Sequence, residues 1–173
     1  ITQKQDNGSV LRHIQTPDKD IKNKAIVQQK ALDTDIFVSY YNILTSETAK
    51  NGAKKVQYKI GFNIVDHIDF NVVKNNRILI KLKNGQTITL KTTKDVPARY
   101  LSDGKYHATV SYTISLQQLN NIIKSGATKF RIETQVRNLD IIPDFDVSEV
   151  TKAFKKGLYD RLNNKKDSFT DGF

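Results

Sequence analysis

A chain of 173 residues with 38% hydrophobic and 27% charged side chains is long enough to bury one full core, and needs no disulfide or metal staple. Cys is absent, which excludes disulfides, thiol catalysis and cysteine-held zinc or iron–sulfur centres, and no run approaches the roughly 20 apolar residues of a membrane-crossing helix. The net charge of +10 and a pI near 9.7 favour an anionic partner (nucleic acid, an acidic glycan or a lipid surface), set against the plainer reading of many solvated lysines.

Met is absent too, and Ile1 stands where a reading frame would begin. Loss of a leader peptide or lipoprotein anchor explains this, as does trimming, and an extracytoplasmic location in the periplasm or at the cell surface is expected. Residues 1–24 hold few apolar side chains and no sustained period, which predicts a polar flexible arm ahead of a single domain over 25–173. Within that arm, Asn7-Gly8-Ser9 matches an N-glycosylation acceptor. The stretch from Ala25 to Leu32 reads equally as a strand or a short helical turn. Ile36, Val38 and Tyr40 then alternate with Phe37, Ser39 and Tyr41, as in a strand covered on both faces. A polar loop is expected over 45–55, around Asn51-Gly52.

Val56, Tyr58, Ile60, Phe62 and Ile64 alternate strictly with Gln57, Lys59, Gly61 and Asn63, the pattern of a half-buried antiparallel strand. Residues 77–91 form a hairpin around Asn84-Gly85, and apolar pairing sets its register. A three-residue loop of Lys83, Asn84 and Gly85 places Ile80 opposite Ile88 and Ile78 opposite Leu90, so Gly85 is expected in the left-handed region, with Leu79 left on the outer face. Tyr106, Ala108, Val110, Tyr112 and Ile114 define another half-buried strand. Ser115 with Gln118 forms a capping box for a short helix at 116–125, whose stripe is Leu116, Leu119, Ile122 and Ile123 and whose stop is Gly126. A strand over 128–136 follows, either a parallel neighbour of 106–114 or a member of another sheet. After Pro143, Asp146 and Glu149 cap a helix with a stripe of Val147, Val150, Phe154, Leu158 and Leu162, and a polar tail begins at Asn163.

The chemistry is sparse. Asp66-His67-Ile68-Asp69 brings two carboxylates and an imidazole together, enough to suggest a metal-dependent enzyme as one reading, but His13 and His107 lie far off in sequence and a solvated turn is the plainer one. Glycine-rich nucleotide loops and a nucleophile elbow are lacking, so neither an enzyme nor a cofactor is expected. Lys59, Lys81, Lys83, Lys91, Lys129 and Arg131 fall opposite the apolar faces of their strands and are the candidate polyanion-binding residues. The aromatics Tyr58, Phe62, Tyr106, Tyr112 and Phe130 fall on the apolar side, which disfavours base stacking.

The run Tyr-Thr-Ile-Ser-Leu-Gln-Gln-Leu-Asn-Asn-Ile-Ile-Lys-Ser-Gly-Ala-Thr-Lys-Phe-Arg-Ile-Glu-Thr from Tyr112 to Thr134, with the Lys-Asn-Gly-Gln hairpin at 83–86, resembles uncharacterised exported domains of the Bacteroidetes type. Those carry a strand, a short isoleucine–x–x–x–glutamine–leucine helix and a lysine–x–arginine–isoleucine–glutamate–threonine strand. The resemblance spans 77–134. It implies export, as a periplasmic or lipoprotein-like protein, and a β-rich fold, and carries no site residue.

The sequence therefore predicts an α+β domain. Its antiparallel or mixed sheet has about six to seven strands, packed by the C-terminal amphipathic helix. The expected role is a non-enzymatic binding or structural module, with polyanion binding by a basic sheet face as the alternative.

Overall fold

The computed structural model describes residues 2–15, 19–21, 26–27 and 36–163. The chain opens with β1 (Thr2–Lys4), β2 (Val10–Gln15), β3 (Lys19–Ile21) and β4 (Ile26–Val27). Then come β5 (Phe37–Thr48), β6 (Lys54–Asp66), β7 (Asn71–Val72), β8 (Arg77–Leu82), β9 (Thr87–Lys91), β10 (Val96–Pro97) and β11 (Arg99–Tyr100). Last are β12 (Tyr106–Ile114), α1 (Leu116–Ser125), β13 (Ala127–Glu133), β14 (Asn138–Ile141) and α2 (Val147–Asn163). Every strand pairing among these is antiparallel.

One sheet runs β1-β2-β5-β6-β12-β11, with β3 also beside β5; a second runs β4-β14-β13-β8-β9; β10 and β7 form a short ribbon. The expected polar arm is thus corrected: β1, β2 and β3, all within 1–24, join the first sheet. Main-chain pairing along the edge of β5 needs no apolar period, which is why the sequence pattern was silent there. The same cause corrects the loop expected at 45–55. Thr45 to Thr48 stay extended because β2 pairs them on one side and β6 on the other, and the turn is confined to residues 49–53, with Gly52 at φ 82°. Of 25–32, Ile26 and Val27 form β4; the rest lies outside the described residues.

The 77–91 hairpin has the expected register, Ile78 opposite Leu90 and Ile80 opposite Ile88. The Gly85 amide donates to the Leu82 carbonyl (3.0 Å), the Leu82 amide to the Gln86 carbonyl (2.9 Å), and Gly85 sits at φ 86°, a turn closed by a bulge. The Ser115–Gln118 capping box forms in both directions, each bond 3.1 Å, and Gly126 ends α1. Leu119 and Ile122 are buried, whereas Leu116 of the predicted stripe is exposed. At α2 the cap is one-sided: Asp146 accepts the Ser148 amide (2.8 Å), while Glu149 faces Lys152 instead.

The apolar faces of the two larger sheets meet in one core. Phe130 of β13 lies 5.6 Å from Tyr40 and 5.1 Å from Phe62 of the opposite sheet, centroid to centroid. Strands 106–114 and 128–136 therefore belong to different sheets, the second of the two readings. The sequence assigned the covering of the sheet to the final helix; a second sheet covers most of it instead, as fully apolar Ile78, Ile80, Phe130, Ile132 and Leu139 demand a partner. Val147 of α2 joins that core and Val150 packs against it, and the next turn of the helix covers an overhang. β5 and β6 run 12 and 13 residues against 7 for β13, the longest strand of the facing sheet, and Phe154 of α2 packs on Leu44, with Tyr58 touching both this pair and the main core. The side chains of Leu158 and Leu162 and the tail past Asn163 lie outside the described residues.

Two details bear on stability. On the outer face of the first sheet Tyr41 stands directly opposite Gly61, and its buried ring occupies the space that a Cβ there would need. In the core, the Tyr40 hydroxyl donates to Asn42 Oδ1 (2.9 Å) and meets Thr151 Oγ1 of α2 (3.3 Å). Burial pushes the Tyr40 phenol from 10.0 up to about 12, against the pull of those two hydrogen bonds. Burial, with the charge of Glu133, also raises Tyr112. Between pH 10 and 12 the unfolded chain releases a Tyr40 proton that the folded one keeps, so the stability tied to Tyr40 is full below pH 10 and falls by roughly 2–3 kcal/mol as the pH nears 12, and Tyr112 adds a loss of the same sign. A urea midpoint that declines above pH 10, less steeply in Tyr40→Phe, is the expected result; equal slopes for the two proteins would refute it.

Candidate functional site

Because Ile78, Ile80, Ile88, Leu90, Phe130 and Ile132 point into the core, their neighbours along β8, β9 and β13 point out. That outer face carries Arg77, Leu79 and Lys81 from β8, Thr87, Thr89 and Lys91 from β9, and Lys129, Arg131 and Glu133 from β13. Cross-strand pairing sets Lys81 opposite Lys129, Arg77 opposite Lys91, and Arg131 opposite Asp140 of β14. Neighbouring strands lie about 4.8 Å apart and alternate residues about 6.7 Å apart, so the cations form a grid with spacings of that order. Lys83 stands at its rim, in the β8–β9 turn, with its ammonium 3.9 Å from Asp146.

Four of the six basic residues picked out by alternation, Lys81, Lys91, Lys129 and Arg131, thus meet on one face, with Lys83 at its rim. The sixth, Lys59, does not. It pairs with Ile43 and Thr113 on the outer side of the other sheet, for alternation tells inside from outside but not which sheet a strand joins.

Three participants escaped the sequence reading. Arg77 clasps Glu133 through Nε (2.8 Å) and Nη2 (2.6 Å), and Glu133 also accepts the Arg77 amide (2.9 Å). Those side-chain bonds hold the Glu133 carboxyl below the usual range despite partial burial. Asp140 is the third, only 2% exposed, and it accepts Arg131 Nε (2.6 Å), Arg131 Nη2 (2.7 Å) and Lys129 Nζ (2.6 Å). The Arg131 bonds, helped by Lys129, hold its carboxyl low against the cost of burial. Among the described residues the face therefore sets five cations against two carboxylates, and both carboxylates are already engaged. Arg77 alternates with Ile78 and was legible; Asp140 sits in a run too short to give a period.

The aromatics lie on the core side, as expected: Phe62, Tyr112 and Phe130 are fully buried, and Tyr58 and Tyr106 pack against the core. Charge is therefore what this face offers, without a stacking platform for bases.

The Asp66–Asp69 turn is organised differently. Asp66 is fully buried, its Oδ2 meets the Arg137 guanidinium, and its Oδ1 accepts the Ile68 amide (3.2 Å). Its carboxylate is a strut between the β6 end and the β13–β14 turn. Among the described residues no three His, Asp or Glu side chains gather closely enough to hold a metal ion, and no helix is long and apolar enough to cross a membrane.

Comparison with protein families, curated proteins and solved structures found no match to this chain.

Proposed function

We propose that this chain is a non-enzymatic binding module of an exported protein, and that the outer face of its five-stranded sheet takes up an anionic polymer through phosphate or sulfate groups. One observation carries the binding reading: Arg77, Lys81, Lys91, Lys129 and Arg131 converge on one sheet face, with Lys83 at its rim. The net charge of +10 supplies long-range attraction. Since no aromatic side chain among the described residues shares the face, recognition is of backbone charge, not of bases. Export rests on the resemblance over 77–134.

Retention on heparin and on immobilised duplex DNA across a salt gradient tests this, and the two columns separate the sulfate source from the phosphate one. Elution at or above about 0.15 M salt is expected on at least one of them. Substituting Lys81→Glu and Lys91→Glu together should move elution well below that and lower the slope of log affinity against log salt by about 2. A double variant that elutes with the wild type would end the proposal. A structural module, whose lysines only keep sheet surfaces from associating, would show weak retention on both columns.

A further inference from the structure

We infer that Asp140 is a built-in competitor for the anion that this face receives, keeping Lys129 and Arg131 masked; this rests on the binding reading above. Arg131 gives Asp140 its Nε and Nη2, the paired edge with which a guanidinium grips a phosphate, sulfate or carboxylate, and Lys129 adds its ammonium at 2.6 Å. Arg131, the most directional anion ligand among the six candidates, thus already holds an anion through that edge.

The carboxylate is covered by the cations it holds, on the same outward face as Arg131. It is 2% exposed, whereas the Lys129 and Arg131 side chains are about one-third exposed, at 35% and 33%. An incoming anion must draw the cations away from a carboxylate that already satisfies their charge and donors, which weakens its binding. A polymer therefore engages Lys81 and Lys91 first, which no carboxylate holds among the described residues. Lys81 and Lys129 make a natural comparison: they are cross-strand partners with the same charge on the same face, and differ in the presence of Asp140.

Heparin affinity at about 0.15 M salt, measured on the whole chain, reads this out. Asp140→Asn keeps the side-chain shape and removes the charge, and should bind roughly three- to tenfold tighter with a steeper salt slope. Asp6→Asn, on the exposed β1–β2 turn, makes the same change in net charge away from the face and should shift affinity less than about twofold. Lys81→Ala should lose several-fold, and Lys129→Ala, which leaves the Arg131–Asp140 pair in place, should lose little. Equal effects of Asp140→Asn and Asp6→Asn, or of Lys81→Ala and Lys129→Ala, overturn the inference. Because the lysine pair leaves Asp140 untouched, that comparison decides the matter even if Asp140→Asn fails to fold. Failure of the wild type itself to bind heparin is a distinct result, which removes the binding reading and this inference together.

Discussion

Arg137→Ala should destabilise the fold by about 3–5 kcal/mol, the range for leaving one member of a buried ion pair without its partner. The size follows from position. Asp66 is fully buried at the end of β6, and the Arg137 guanidinium reaches it from the β13–β14 turn, 71 residues along the chain. The pair therefore ties the rim of one sheet to the rim of the other. Its geometry leaves room for improvement, since Arg137 Nε is buried without a hydrogen-bond partner among the described residues. Replacing both residues by apolar ones of similar volume, Asp66→Leu with Arg137→Met, should cost less than Arg137→Ala alone. Urea unfolding of the three proteins checks this. A single variant within about 0.5 kcal/mol of the wild type would show that water relieves the carboxylate.

Gly61→Ala should also be destabilising, by about 1–3 kcal/mol, although alanine normally improves on glycine in a strand by about 0.5–1 kcal/mol. The reversal has a steric cause. A Cβ at position 61 would lie 2.3 Å from the ring of Tyr41, which is itself 2% exposed and has little room to retreat. The effect should change sign in a Tyr41→Ala background, where the ring is gone and the ordinary preference for alanine returns. A double-mutant cycle by chemical denaturation measures this. Gly61→Ala that destabilises equally in both backgrounds would show that the strain lies in the backbone of β6 and not in the ring.

Local contacts are legible in this sequence and distant ones are not, for a physical reason. The Ile78–Ile80–Ile88–Leu90 register and the Ser115–Gln118 cap depend on residues a few positions apart, where turn geometry and alternation act directly. The strands of residues 1–24 and the Thr45–Thr48 extension depend on hydrogen bonds to partners far along the chain, and backbone bonding leaves no mark on side-chain type. Alternation gave each strand an inside and an outside, but assigning strands to two sheets needs to know which inside faces which. That gap displaced Lys59 from the site and gave α2 too large a share of the core. The ion pairs of the basic face were hidden likewise: Glu133 alternates outward with Lys129 and Arg131 but reaches Arg77 across 56 residues, and Asp140 meets Arg131 only because a turn folds β14 back on β13.

The unequal strand lengths impose an order of events during synthesis. The β5–β6 ribbon is complete once residue 66 has been made, yet Leu44, in its far half, gains its buried apolar neighbour only when Phe154 emerges. Until then that end of the ribbon stays open on one side, and only a nearly finished chain can close it.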